Sequence, residues 1–536
     1  MPHRLVGVVL RKAMSPDRTL PSPYSRGDVF AQTGPEASAF DSSAIQDVGV
    51  PERVLMENAG RSAALVIQSI FSAHRVVGVV GAGNNGGDAL VVLRSLAAWG
   101  VDSTAILVAD RDHEEPLLHA WPIRMVQDAD LSDAEALQLM DGADVIVDGV
   151  LGTGVHGAPR ERQATMIEHM NASSTPVAAL DIPSGVDATT GAVPGVAVDA
   201  DVTISFGAPK TGALLHPARR RVGRHVTVEI GFPALTEADS IARVVTPAWA
   251  RRHLPARETD THKNRVGRLL IVGGGLGMAG AVILAARAAF HAGAGLVQVC
   301  SLSKHRDAIQ AGIPEAIFIP LDDSDGLEEA AIRADALVVG PGLGDGEDSA
   351  EVLRRIVRRG SQPLLLDADA LNLAATGTIS LFEVGARRPV LVTPHLGEME
   401  RLAPHHVDSG SPIDVARAVA TESAISVLLK GAPSVVAAAS GSVLVDTQSS
   451  SDLAVAGMGD MLSGVCGALL AQRLDTHVAG AVGLYLSGRA AKLAGRGAGL
   501  TPSDVSAHLP DVLTETARAE TELPFAFVIF DAEAPR

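Results

Sequence analysis

Short apolar runs rich in Val, Ile and Leu alternate with longer stretches of mixed polarity along most of the chain. In the first half they are VVGVVG (76–81), STAILVA (103–109), ADVIVDGVLG (143–152), PVAALDIPSG (176–185) and DVTISFG (201–207), with a helix expected from about Asp88. A second series runs through GRLLIVGGG (267–275), LVQVCS (296–301), DALVVGPGLG (335–344), PLLLDADAL (363–371), PVLVTPHLGE (389–398), SVLLKGA (426–432) and SVLVDT (442–447). Each run has strand length, and several end in glycine. Repeated β-loop-α units around a parallel sheet account for that pattern with the fewest assumptions.

Two series predict two α/β domains, each a sheet between two layers of helices, the first Rossmann-like in organisation. The boundaries expected are a poorly ordered extension over 1–36, a first domain over 37–240, a second over 245–520 and a tail over 521–536. Residues 232–262 carry proline and dense charge and read as a linker, or as a first helix packed on the second domain. Length agrees, since 536 residues is several times a modal domain.

Composition narrows the function. Hydrophobic residues at 47%, charged residues at 20% and 54 glycines are globular α/β usage. Aromatics at 3% leave no stacking platform for single strands. A net charge of −18 argues against nucleic acid or an anionic membrane as partner, so any phosphate must be held locally. Cys300 and Cys466 are too few for a disulfide framework or a thiolate zinc site, which fits a reducing cytoplasm. The first residues lack a signal-peptide h-region, and no apolar stretch is long enough to span a bilayer.

Chemistry concentrates at strand ends. GAGNNGGDA (81–89) lies between a strand and a helix, where backbone N–H groups and the helix dipole suit a phosphate, although a tight strand-helix turn would use the same glycines. Asp148 and Asp181 each close an apolar strand at its carboxyl end, the ligand side of open α/β sheets. Either alone is readily a helix cap, but two beside Gly-Thr-Gly and Pro-Ser-Gly loops favour a shared pocket. Asn85, Asp148 and Ser184 offer hard oxygen donors, suited to an alkali or alkaline-earth cation. In the second half, AVAGMGDMLSGVCGALLA (454–471) places Asp460 at the start of an apolar helix after Gly457 and Gly459. The amides of such a turn bind a transferring phosphoryl group beside a carboxylate base. Lys210 and Lys430 stand out among only six lysines as point charges for phosphate.

GVPERVLMENAG, NNGGD, VDGVLGTG, LDIPSGVDATTG and ADVTISFGAPKTG, in that order, resemble the NAD(P)H-hydrate epimerase domain. The resemblance implies that Asn84, Asn85, Gly86, Gly87, Asp88, Gly152, Thr153, Gly154, Val155, His156, Gly157, Ala158 and Asp181 contact the hydrated dinucleotide. It also implies potassium on Asn85, Asp148 and Ser184, with Asp181 as acid/base. THKNRVGRLLIVGGG, VVGPGLG, LLDADALN, VTPHLGEMERL, LLKGAPSVV and GMGDMLSG resemble the ribokinase-like ADP/ATP-dependent NAD(P)H-hydrate dehydratase domain. By that likeness Ala281, Gly344, His395 and Asp460 line the hydrate site, and Lys430, Gly431, Ala432, Pro433, Ser434 and Gly459 the nucleotide site, with Mg2+ on ADP or ATP. Leu396 replaces the family's usual proline, Ser434 its threonine and Ala89 a glycine. The implied protein is a cytoplasmic, homo-oligomeric bifunctional enzyme: isomerase, then lyase. The alternatives are a ribokinase-like small-molecule kinase and, for the first half, a non-enzymatic interaction module.

Overall fold

The computed structural model describes residues 28–108, 117–154, 156–256, 266–407, 410–448, 450–515, 523 and 525–534. Every apolar run of both series is a strand. The first sheet has eight strands, in spatial order Val528–Ala532, Arg224–Val228, Val202–Phe206, Val177–Leu180, Val145–Gly149, Arg75–Val80, Asp102–Leu107 and Arg124–Gln127. All neighbours run parallel except the first pair. Alternate residues face opposite layers, as a two-residue period demands. Val76 and Val80 enter one core with Val145 and Val147, while Val77 and Val79 enter the other with Ile146.

The second sheet has eleven strands: Val29–Ala31, Ala242–Val245, Val443–Asp446, Val435–Ala437, Ser426–Leu429, Val390–Val392, Leu364–Leu366, Ala336–Val339, Arg268–Val272, Leu296–Ser301 and Ile317–Pro320. Its parallel centre again sends alternate residues to two cores. Leu269 and Ile271 pack with the helices Ala279–His291, Met458–Ala471 and Thr476–Ala494. Leu270 and Val272 pack on the other side with Ser324–Arg333, Glu347–Arg358 and Pro412–Ser423. Both sheets are therefore central layers between helices, the α/β class that the pattern predicts.

The ends of the chain depart from the expectation. Residues 1–27 of the expected extension lie outside the described residues, but Val29–Ala31 is a strand, antiparallel to Ala242–Val245 in the second sheet. Residues 34–46 form a helix that starts at a Thr33–Glu36 capping box. Most of the expected tail's described residues are ordered as well, because Val528–Ala532 joins the first sheet beside Arg224–Val228. Each end of the chain thus completes the sheet of the other half. The expected linker supplies the strand Ala242–Val245 and the helix Pro247–His253, whose Trp249 is fully enclosed in the core. In both sheets the chain order reverses beside one central strand, Arg75–Val80 or Arg268–Val272, and the crevice at the carboxyl end of such a switch point is where α/β ligands sit.

Candidate active sites

In the first half the switch point brings the Gly81–Asp88 segment against Asp148. The helix begins at Asn84 rather than Asp88, with Gly83 as its N-cap. Asn84, Asn85, Gly86, Gly87 and Asp88 therefore form the first helical turns instead of a preceding loop. Close packing allows this: a Cβ on Gly81 would lie 1.9 Å from the Val150 carbonyl oxygen, and one on Gly86 2.0 Å from the Gly81 carbonyl oxygen. Those two glycines serve the tight turn, whereas a Cβ on Gly83 would meet open space.

Asn85, Asp148 and Ser184 converge on Leu151. The Ser184 hydroxyl donates to Asp148 Oδ1 at 2.6 Å and accepts from Leu151 N at 2.9 Å. Ser184 N donates to Asp148 Oδ2 at 2.8 Å, and Asn85 Nδ2 donates to the Leu151 carbonyl at 2.7 Å. Asn85 Oδ1 is buried without a hydrogen-bond partner. Burial pushes the Asp148 carboxyl up to about 6, against the hydrogen bonds it accepts. An unsatisfied amide oxygen, a hydroxyl and a carboxylate in one corner fit a hard monovalent cation. Among the described residues no group of three His, Cys, Asp or Glu could hold a metal ion.

Asp181 follows its strand in the left-handed region, with φ of 62°, a costly conformation for a non-glycine residue. Its surroundings hold it there. Asp181 N donates to the Ile204 carbonyl at 2.7 Å, and the Ser205 hydroxyl donates to the Asp181 carbonyl at 2.7 Å. Lys210 Nζ donates to Asp181 Oδ1 at 2.7 Å and to the carbonyls of Phe206 and Ala208 at 3.0 Å each. Lys210 is thus the buried ion-pair partner of Asp181 rather than a free charge awaiting phosphate. Two further carboxyls crowd the same cleft. Asp88 is raised well above the carboxylate range, by burial and then by Asp181 and Asp41. Asp41 is pushed up to about 6, chiefly by desolvation. Asp41 carries no motif signal, since it lies in an ordinary amphipathic helix. The Gly152–Ala158 loop lies beside the 183–187 turn, with His156 Nδ1 3.5 Å from Asp187 Oδ2. Val155 falls outside the described residues.

The second cleft is built the same way from different parts. Ala368, between Asp367 and Asp369, has φ of 48°. The two carboxylates of this turn have separate partners. Asp369 Oδ2 accepts from Gly344 N at 2.8 Å. Asp367 accepts from Lys430 Nζ at 2.9 Å and from the Ser463 hydroxyl at 2.5 Å. Lys430 N donates to the Pro394 carbonyl at 2.8 Å, which sets the 430–434 loop beside His395. Ser434 closes that loop, its hydroxyl donating to the Gly431 carbonyl at 3.0 Å. His395 does what a strand-end residue often does: its Nδ1 accepts from Glu398 N at 3.2 Å and caps the following helix. Its ring remains 57% exposed on the cleft side.

Gly457 takes φ of 82° as the N-cap of the helix Met458–Ala471, so Gly459 and Asp460 form the helix's first turn. A Cβ on Gly459 would lie 3.4 Å from Lys430 Nζ and 3.8 Å from Asp367 Oδ2, which places the turn directly over the ion pair. Burial, then Asp367, push the Asp460 carboxyl up to about 6 against the pull of Lys430. Lys430 itself rises: burial alone would lower it, but Asp367 and Glu398 outweigh that. Ala281 lies in the first turn of its helix, beneath Gly342. Leu276, Met278 and Leu396 stand exposed on the loops and helix ends at the strands' carboxyl ends, apolar surface of the kind a flat ring covers.

A family model described as NAD(P)H-hydrate dehydratase matches residues 269–511. One described as YjeF-related protein N-terminus matches residues 52–212. Over 490 residues the chain is 37% identical to a bifunctional NAD(P)H-hydrate repair enzyme of Salinibacter ruber, an alignment covering 85% of this chain and 90% of that one. Its identity to the protein of the same description from Moorella thermoacetica is 34%, covering 90% of this chain and 97% of that one. A ribokinase-like superfamily protein of Enterococcus faecalis V583 is 26% identical and superposes with a TM-score of 0.48, covering 52% of this chain and 97% of that chain. With relatives matched across both sheets and over most of their own length, the chain belongs to the family of bifunctional NAD(P)H-hydrate repair enzymes.

Proposed function

We propose that the first cleft interconverts the R and S forms of hydrated NADH and NADPH, and that the second dehydrates the S form while hydrolysing ADP, or ATP in its place. The observation that carries this reading is the pair of separate clefts on one chain, each with several carboxyls around a single ion-paired lysine. In the first, Asp181 acts as acid/base at the hydrated carbon, with Asp88, whose pKa is raised by burial, as the partnering carboxyl. Asn84 to Asp88, Gly152 to Ala158 and Asp181 line the dinucleotide. Asn85, Asp148 and Ser184 would hold potassium, which when bound supplies positive charge beside that ligand.

In the second cleft Asp460 takes the proton of the ring hydroxyl as its oxygen attacks the terminal phosphoryl group of ADP, displacing AMP, or of ATP, displacing ADP. The backbone amides of Gly457 to Asp460 stabilise the charge on the group in transfer. The carbon–oxygen bond then breaks with phosphate as leaving group, the ring nitrogen supplies electrons, and loss of a ring proton restores the double bond. Ala281, Gly344 and His395 position the hydrate, and Lys430 to Ser434 with Gly459 the nucleotide. Mg2+ would travel with its phosphates.

The same reading makes the protein a cytoplasmic homo-oligomer that needs neither membrane nor nucleic acid. Its net charge of −18 disfavours nucleic acid and anionic membranes as partners. The test is an assay of the full chain on mixed R and S hydrates. With ADP both epimers should return to the reduced dinucleotide, and without it they should equilibrate undehydrated. A stable phosphorylated product would mark a small-molecule kinase instead, and a first half that never equilibrates the epimers would be an interaction module.

A further inference from the structure

We propose that the adenine nucleotide of the second site is held by both halves of the chain, with His216 of the first half and Gln448 of the second reading its base and ribose. The inference rests on the proposed function and adds residues that the motifs do not contain. A cavity of about 770 Å³ lies between the halves, a size that suits a nucleotide. From the second half it is lined by Ala432, Pro433, Gln448, Ser450 and Asp452. In sequence these flank the phosphoryl site on both sides, following Lys430 and preceding Gly457. On this proposal a nucleotide with its phosphates on the Gly457–Asp460 turn extends toward the cavity that these neighbouring residues line.

The other wall belongs to the first half. Leu214, His216 and Arg219 line it, together with Phe530, Ala532 and Glu533 of the chain's last strand. That wall is well anchored. Arg224 donates to both carboxylate oxygens of the fully buried Asp531, at 2.9 and 2.7 Å, and Arg219 Nη2 donates to the Glu533 carbonyl at 2.6 Å. Phe530 packs edge-on against His225 and enters the core of the second half.

Two observations point to a ligand there. His216 and Gln448 both line this cavity, and their Nδ1 and Oε1 atoms are buried without a hydrogen-bond partner, a condition that calls for a water or a ligand. The chemistry also selects the ligand's end. Burial and the nearby Arg220 and Arg219 lower the His216 pKa, so it stands neutral at physiological pH. A neutral imidazole, an amide and the apolar walls of Leu214, Pro433 and Phe530 suit a purine and its ribose. Asp446, Asp452 and Glu533 offset Arg219 and Lys492 around the cavity, while Lys430 and the glycine turn take the phosphate.

The experiment uses the full chain with His216→Ala and Gln448→Ala, ADP and GDP as probes, and melting temperature read alongside. Each variant should raise KM for ADP about tenfold, the loss of a buried hydrogen bond. The kcat at saturating ADP, KM for the hydrate and the epimerisation rate should stay within about twofold, and Gln448→Ala should narrow the preference for ADP over GDP. Should His216→Ala fail to fold, Gln448→Ala on the opposite half carries the test. Unchanged KM for ADP in a folded variant overturns the inference while dehydration proceeds normally. A wild-type chain that dehydrates nothing with either nucleotide overturns the function on which it rests.

Discussion

The two clefts solve the same electrostatic problem in opposite ways. Each gathers several carboxyls around one lysine at a strand end. In the first, Lys210 pairs with Asp181 itself, and the neighbouring Asp88 and Asp41 are pushed up toward neutrality. In the second, Lys430 pairs with Asp367, which also takes the Ser463 hydroxyl, and Asp460 is left to titrate at about 6. Burial raises the carboxyls that each lysine does not pair, and the lysine's pull on them is the smaller effect. In the first cleft the raised carboxyls lie beside the locked residue. In the second the raised carboxyl is Asp460, in the first turn of the helix Met458–Ala471.

The sharpest way to break the comparison is to neutralise one carboxylate in each cleft. Asp460→Asn keeps size and helix capping, and should cost about 10²- to 10⁴-fold in dehydration while ADP still binds and epimerisation persists. Asp181→Asn should do the reverse, with a loss of similar size in conversion of the R form and near-normal dehydration of the S form. Separate assays of the two steps read both variants. Equal loss of both activities from one substitution would show that the clefts are not independent.

Removing the first lysine tests the lock. Lys210→Met leaves Asp181 without its buried cation, and breaking such a pair costs about 3–5 kcal/mol. Thermal unfolding should show the first half melting earlier, and a melting curve like that of wild type would mean that the pair contributes little.

Proton occupancy supplies a smaller effect. A carboxyl at about 6 is ionised above that pH and protonated below it. A base must be ionised to accept a proton, so dehydration at saturating ADP should fall about tenfold per unit as pH drops below about 6. A flat profile between pH 5 and 7 would remove Asp460 as the titrating base. The smallest effect expected is ionic. Exchanging potassium for tetramethylammonium should slow epimerisation by a few-fold and leave the first step of dehydration of pure S form, assayed in the same buffers, unchanged. Equal sensitivity of both steps would place the ion elsewhere.

Much of both candidate sites was readable because several of their charged groups sit at strand ends, where apolar runs stop abruptly at Asp148, Asp181, Asp367 and Lys430. A residue in that position has no packing reason to be charged. Asp41 had no such signal, lying in an amphipathic helix where an acid is ordinary. Lys210 was visible as a scarce lysine, yet its partner was not, because Asp181 lies 29 residues away and the contact depends on a strained backbone. Ser205, which holds the Asp181 carbonyl, and Ser463, which fixes the Asp367 carboxylate, look like any serine in a strand or a helix.

By itself the sequence determined the two α/β halves, nearly every central strand and the family's motifs, because strand length, side-chain alternation and glycine at turns are local properties of the chain. Tertiary structure alone decided how the halves interlock. Val29–Ala31 is too short to stand without Ala242–Val245, and Val528–Ala532 finds its partner about three hundred residues upstream. Pairing between strands is a property of two distant segments, and neither segment carries the address of the other. The cavity that His216 and Gln448 line takes Phe530 and Ala532 of the crossed last strand into its wall.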